Sequence, residues 1–217
     1  AEIKQENADV EFGYFADTVI GDTPNAIRVF SQTTDISTFE LVSGEFPTKS
    51  NEVALAETMA DQYKIGDTIR LNESGSSTLL KEHEFTITGF VNSSEILSKT
   101  IKGVSSAGSG DLSGFAVVPQ DAFDSEVYTI ARLRYPDLRK WKTTSREYSD
   151  KVTELQQALE EKLADNGTAR LDALKTTADD KISEGKEKIT DAKTQLSDAE
   201  KKLADGKSEI EKNEKTL

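Results

Sequence analysis

The 217-residue chain contains no cysteine, which excludes disulfide scaffolds and cysteine-ligated zinc but leaves the compartment open. Histidine occurs once, at His83 within Lys81-Glu82-His83-Glu84, and reads as an exposed strand residue. With a single histidine there is no His-x-x-x-His spacing and no Glu-x-x-His, so the usual zinc and di-iron arrangements are absent. No stretch approaches about eighteen consecutive apolar residues, and no signal-peptide pattern opens the chain. Positive charge is scarce: 27 basic residues face 40 acidic ones, for a net charge of −13. That balance argues against nucleic-acid phosphates and anionic lipid surfaces as main partners. The acidity is uneven, since residues 149–217 hold 17 acids and 13 bases (net −4) while residues 1–148 hold 23 and 14 (net −9). Ala1 begins a polar run without an initiator methionine, from which we expect a piece of a longer chain.

What is present is a seven-residue repeat. Ile182, Ile189, Leu196, Leu203, Ile210 and Leu217 form one column. Gly185, Ala192, Ala199 and Gly206 form a second, small column three residues on, which Ala178 starts and Asn213 breaks. A strict heptad on a helix imposes a left-handed supercoil, because only supercoiling keeps the stripe on one partner. Residues 177–217 would span roughly 60 Å at about 1.5 Å per residue. Large residues alternating with small ones allow close helix approach, towards the lower end of the roughly 8–10 Å interaxial range. Gly185 and Gly206 each cost about 1 kcal/mol relative to alanine, a loss that close backbone approach by a neighbour would offset. Acid-to-lysine pairs at Glu184–Lys188, Asp198–Lys202 and Glu211–Lys215 would support the exposed face, and a solvated single helix held by such pairs is the alternative.

Upstream the pattern is of short strands. Strands are expected at Val10–Phe15, Ala26–Ser31, Phe39–Val42, Glu52–Leu55, Thr68–Leu71, Lys81–Val91, Phe115–Val118 and Val127–Tyr135, with a short helix over Ala56–Lys64 and a helical turn after Pro119. Gly89 inside a strand marks a bulge or a close backbone approach. Residues 92–114, rich in glycine and serine, read as a mobile loop, with Ser105, Ser106, Gly108 and Gly110 as a candidate partner-binding segment. Thr144-x-x-Glu147 is a capping box for a helix with Val152, Leu155, Leu159 and Leu163 on one face. Asn166-Gly167 stops or kinks that helix, and the long arm starts near Thr168.

No catalytic constellation emerges. The Gly103…Gly108-Ser109-Gly110 segment lacks the strand–loop–helix order and the Gly-Lys-Ser/Thr of a phosphate loop. Asp121, Asp124 and Glu126 could hold a cation but lack calcium-loop spacing, so solvated charge is the better reading. Trp141, between Lys140 and Lys142, is either a docking aromatic or a residue packing the last strand against the capping helix. No catalytic residue, metal ligand or cofactor is assigned.

The stretch GEFPTKSNEVALAETMADQYKIGDTIRL (Gly44–Leu71), with FTITGFV (Phe85–Val91) and FAVVP (Phe115–Pro119), resembles the extracytoplasmic domain of FtsX-like, MacB-type ABC transporter permeases. The match covers about residues 40–120, and an appended coiled coil is further similar to such permeases of Gram-positive Firmicutes. The resemblance implies an extracellular domain at the cell membrane, inserted between the first two membrane helices. Its partners would be a cytoplasmic ABC ATPase subunit, reached through the membrane part, and an extracellular protein, peptide or lipoprotein. It implies mechanotransmission: ATP-driven motion relayed to an extracellular partner, in export or in control of a cell-wall hydrolase. A coiled-coil surface or adhesion protein binding a cell-wall or host ligand is the alternative.

The expected fold is α+β: small, mixed, mostly antiparallel sheet lobes with short helices, followed by a long coiled-coil helix. The expected divisions are a permease-like core over 1–148, a helix packed on it over 149–167, and a coiled-coil arm over 168–217. The arm is expected to be half of an antiparallel hairpin whose returning helix lies beyond Leu217. The preceding helix, some 22 residues or about 33 Å, is too short to pair along it.

Overall fold

The computed structural model of this chain describes residues 7–73 and 78–214. Its secondary structure is that of an α+β protein, and it divides into two compact units, Ala1–Lys142 and Thr143–Leu217.

The first unit holds the strands β1 (Asp9–Gly13), β2 (Phe15–Ile20), β3 (Ala26–Ser31), β4 (Phe39–Gly44), β5 (Glu52–Ala56), β6 (Thr68–Glu73), β7 (Glu84–Ser93), β8 (Leu112–Val118) and β9 (Ile130–Arg134). Seven of them form one sheet in the order β4-β7-β5-β8-β3-β2-β6, and β6 pairs again with β7. Six strands therefore close on themselves. The two partners share one edge of β7: β6 takes Glu84 to Thr86, and β4 takes Gly89 to Ser93. Closure pairs the backbone groups that an open edge would expose. The β3–β8 and β5–β7 pairings are parallel, whereas the other pairings in this sheet are antiparallel. β1 and β9 form a separate antiparallel ribbon.

Val53-Ala54-Leu55-Ala56 and Phe115-Ala116-Val117-Val118 are buried at every position, as strands covered on both faces must be. With Ile27, Val29, Leu71, Phe85 and Ile87 they make one continuous core. Burying a single such side chain stabilises by about 1.5–3 kcal/mol.

Several local expectations change; among them, the strand expected from Lys81 begins at Glu84 and runs on to Ser93. The run expected as one strand over Val10–Phe15 is broken at Tyr14, where the chain changes partners from β9 to β3. The Tyr14 amide donates to Ser31 Oγ (2.8 Å), its hydroxyl donates to the Ser125 carbonyl (2.8 Å), and its ring stacks on Phe123. β2 is not among the expected strands, because two of its three inward side chains, Ala16 and Thr18, are small or polar. The helix expected over Ala56–Lys64 is a single 3-10 turn, Glu57–Met59. Met59 is buried there, and a Cβ added at Gly114 would lie 2.6 Å from its sulfur. The strand expected from Val127 begins at Ile130.

In the second unit, α1 (Arg146–Leu163) is capped by Ser145, which accepts from the Tyr148 amide, and not by Thr144. The break before α2 (Asn166–Glu214) falls at Ala164–Asp165, so Asn166-Gly167 opens the long helix instead of ending the short one. Leu155, Leu159 and Leu163 are half-buried, and no residue of α1 is fully buried. Ala1, Leu217 and the Lys215 half of the expected Glu211–Lys215 pair lie outside the described residues.

Candidate interaction surfaces

The glycine–serine segment before β8 makes hydrogen bonds to distant strands that its composition does not suggest. Asp17 on β2 accepts from Arg28 on β3 through two bonds of 2.7 and 2.9 Å, and also from the Ser106 amide at 2.9 Å. Arg28 Nη2 donates onward to the Val104 carbonyl (3.1 Å). Within the segment, the Ser105 amide donates to the Gly110 carbonyl, the Ala107 amide to Ser105 Oγ, and the Ser109 amide to the Pro24 carbonyl. Ala107 is buried, and Gly108 takes a left-handed φ of 59° where an added Cβ would lie 2.4 Å from the Pro24 carbonyl oxygen. Burial works to raise the Asp17 carboxyl, but the Arg28 and Ser106 bonds outweigh it and hold it below the usual range. Of the four candidate residues, Ser105 and Ser106 thus spend polar groups on their own fold, and Gly108 and Gly110 supply left-handed turns.

A cleft of about 450 Å³ opens beside this region, where Thr38 and Glu40, Ala56 to Thr58, Asn92 to Ser94, and Ile96 to Lys99 converge. Buried Ser93 turns the chain out of β7, its hydroxyl accepting from the Glu95 and Ile96 amides. Lys99 reaches Glu57 across 3.7 Å, while Leu97 and Ile101 remain about four-fifths exposed. The lining is hydroxyls, one amide, aliphatics, the Phe115 ring and the charged Glu40, Glu57, Lys99 and Lys102. Its parts come from separated segments, so no local signal could reveal it.

The heptad column lies in solvent. Ile182, Ile189, Leu196, Leu203 and Ile210 are 54–75 % exposed. Ala192 and Ala199 are also exposed, and a Cβ added at Gly185 or Gly206 would meet nothing within 4 Å. The chain's own fold therefore gives these glycines no steric reason. Leu203, Gly206 and Ile210 line an open groove bordered by Lys202 and Lys207. Upstream, half-exposed Leu171 and Leu174 continue the stripe through Ala178, with spacings of three, four and four residues to Ile182. This stutter relaxes the supercoil locally, and carrying the period backwards would have found it. The Lys175–Asp172 contact forms at 4.0 Å, but the expected Glu184–Lys188 and Asp198–Lys202 ion pairs do not. The reason is side-chain freedom: exposed pairs gain little against the entropy of holding two long chains together.

Among the described residues no group of His, Asp and Glu could hold a metal ion, and Asp121, Asp124 and Glu126 are all exposed. His83 is exposed, with Nδ1 3.2 Å from the Leu71 carbonyl oxygen. Trp141 is half-buried with Lys140 Nζ 4.3 Å from its ring centre. Among the described residues no helix is long and apolar enough to cross a membrane. No protein-family model matches the chain, and no curated protein matches it significantly.

Proposed function

We propose that this chain is the extracellular part of an FtsX-like, MacB-type ABC transporter permease, relaying ATP-driven motion to an extracellular protein, peptide or lipoprotein. The reading is carried by the residues of the resemblance. Gly44, Gly66 and Gly89, which lie in the stretches that carry the resemblance, stand where the sheet tolerates nothing larger or needs a left-handed turn. Gly44 and Gly66 have φ of 78° and 94°, and Gly89 touches the backbone of β4. The exposed seam of α2 adds a surface that needs a partner helix, as half of a hairpin would. ATP binding and hydrolysis belong to a separate subunit.

The test is the gene around this segment. The expected result is an apolar span of about 20 residues on each side and an adjacent ATPase gene. A secretion signal upstream with a wall anchor downstream would replace this reading with the surface-adhesion one.

A further inference from the structure

The closed sheet has one strand left over. β2, β3, β5, β6, β7 and β8 have neighbours on both edges, whereas β4 pairs with β7 alone. Residues 40–45 are exposed without interruption, Leu41 at 39 % and Val42 at 48 %. Outside its pairing with β7, the backbone of Phe39–Gly44 makes no hydrogen bond among the described residues. In an antiparallel pair alternate residues turn both backbone groups away from the neighbour, so this edge offers unpaired donors and acceptors.

The edge also carries unpaired charge of one sign. Between Thr38 and Thr48 there are two acids, Glu40 and Glu45, and no base. Neither carboxylate has a hydrogen-bond or ion-pair partner among the described residues, and Lys49, the next base along the chain, is held by Glu52 at 2.8 Å. Thr38 and Glu40 line the 450 Å³ cleft together with Asn92 and Ser94. Both lysines of that cleft are engaged, Lys99 with Glu57 at 3.7 Å and Lys102 with the Lys99 carbonyl at 2.8 Å. Glu40 is thus the charged lining group left without a partner among the described residues.

We infer that the β4 edge takes up a short extended segment of another protein as an added strand, a lysine or arginine of that segment entering the cleft to meet Glu40. In such pairing the main-chain hydrogen bonds supply affinity, and pockets for alternate side chains supply specificity. The inference needs only the sheet and stands whether or not the permease reading does. Val42 limits the length of the visitor. The β4–β7 register skips it between Leu41 and Ser43, and this bulge leaves Phe39 to Leu41, beside the cleft, as the unbroken run. A long flat strand finds no continuous edge there, but a short one does.

A second copy of β4 is the wrong occupant. Phe39 to Glu45 contributes two acids and no base, so two such edges gather four carboxylates without a counter-charge in any register. The β1–β9 ribbon is the wrong place, because its charged side chains are engaged. Glu11 holds the amides of Thr34 to Ile36, Arg132 meets Glu95, and Arg134 meets Asp9 and Asp35.

The experiment titrates the whole nitrogen-15-labelled chain with three end-blocked hexapeptides and reads amide shifts and hydrogen exchange. One alternates valine with lysine, one valine with glutamate, and the third is the lysine peptide N-methylated at every amide. The lysine peptide should shift the amides of Phe39 to Leu41 and slow their exchange. The glutamate peptide should bind at least about fivefold more weakly, a difference that shrinks at high salt. The methylated peptide, which keeps the charge and loses the donors, should leave those amides unprotected. Glu40→Gln should weaken the lysine peptide about two- to fivefold, and Glu40→Lys should exchange the preference, both with the parent's urea midpoint because Glu40 is exposed. Equal effects of the methylated and unmethylated peptides would reduce the binding to charge alone and overturn the inference. So would shifts confined to β1 and β9, or none with any peptide at millimolar concentration. Changes at β4 on diluting the chain by itself would make the edge a contact between copies instead. Shifts around the cleft with a neutral oligosaccharide such as maltotriose, and none with the peptides, would give the cleft to a different ligand and overturn the inference as well.

Discussion

Gly44 and Gly89 face each other across the β4–β7 pairing, so close that a Cβ added to Gly44 would lie 2.8 Å from the Gly89 Cα. The same Cβ would lie 2.2 Å from the Thr88 carbonyl oxygen, and one added to Gly89 would lie 2.6 Å from that of Glu45. Gly44→Ala and Gly89→Ala should each destabilise the first unit by at least about 2 kcal/mol. Because the two sites touch, the double variant should lose less than the sum. Urea denaturation of the three variants checks this, and a neutral Gly89→Ala would contradict the packing.

Asp17 ties the glycine–serine segment to the sheet across 89 residues of sequence. Asp17→Asn removes the charge that Arg28 and Ser106 share, and should cost about 1–3 kcal/mol. Hydrogen exchange should find the amides of Ser105, Ser106 and Ser109 protected in the parent and Ser106 selectively exposed in the variant. Fast exchange at all three in the parent would restore the mobile loop.

Acid should unfold the first unit through identifiable carboxylates. Glu52 is lowered to about 2, first by the hydrogen bond from the Lys49 ammonium and then by that from the Thr48 amide, with burial opposing them. In Glu11, as in Asp17, burial is the largest influence and acts upward. Hydrogen bonds from Thr34, Ile36 and Asp35 nevertheless leave Glu11 lowered. A carboxyl lowered by folding contributes fully above its unfolded value and loses that contribution as pH falls towards its folded value. Denaturation midpoints should therefore stay level with respect to these groups near neutrality, and decline below about pH 4.5 towards pH 2. Glu52→Gln should make the acid decline shallower. An unchanged slope would remove Glu52 from the account.

Arg132 on β9 is buried, and Glu95 beyond β7 meets its guanidinium through Nε and Nη2, while Nη1 has no protein partner. Glu95→Ala should cost roughly 3 kcal/mol, because a buried cation is left without its counter-charge. Replacing both residues with apolar ones of similar size, Arg132→Met with Glu95→Leu, should recover most of that loss. Thermal unfolding of the single and double variants separates the two outcomes.

The sequence by itself determined whatever depends on neighbours along the chain. The Glu52–Ala56 strand was legible as an apolar run, the 49-residue α2 as a heptad, and Gly89 as a close approach inside a strand. The seam of α2 was readable residue by residue because a helix presents every seventh side chain on nearly the same face. The Leu171–Leu174 extension was equally local, needing only the same period carried outward.

Tertiary structure alone decided the rest. Closure of the sheet depends on β7 offering one edge to both β4 and β6, a sharing that no periodicity records. The partner change at Tyr14 depends on Ser31, and on Phe123 and Ser125, arriving from two other segments. The segment around Ser106 looked loose because its own residues carry little apolar area. It is held by Asp17, Arg28 and Pro24, whose proximity exists only once β2, β3 and β8 have paired. Local pattern sets what a segment can form, while its partners are set by which distant groups offset the entropy of bringing them together.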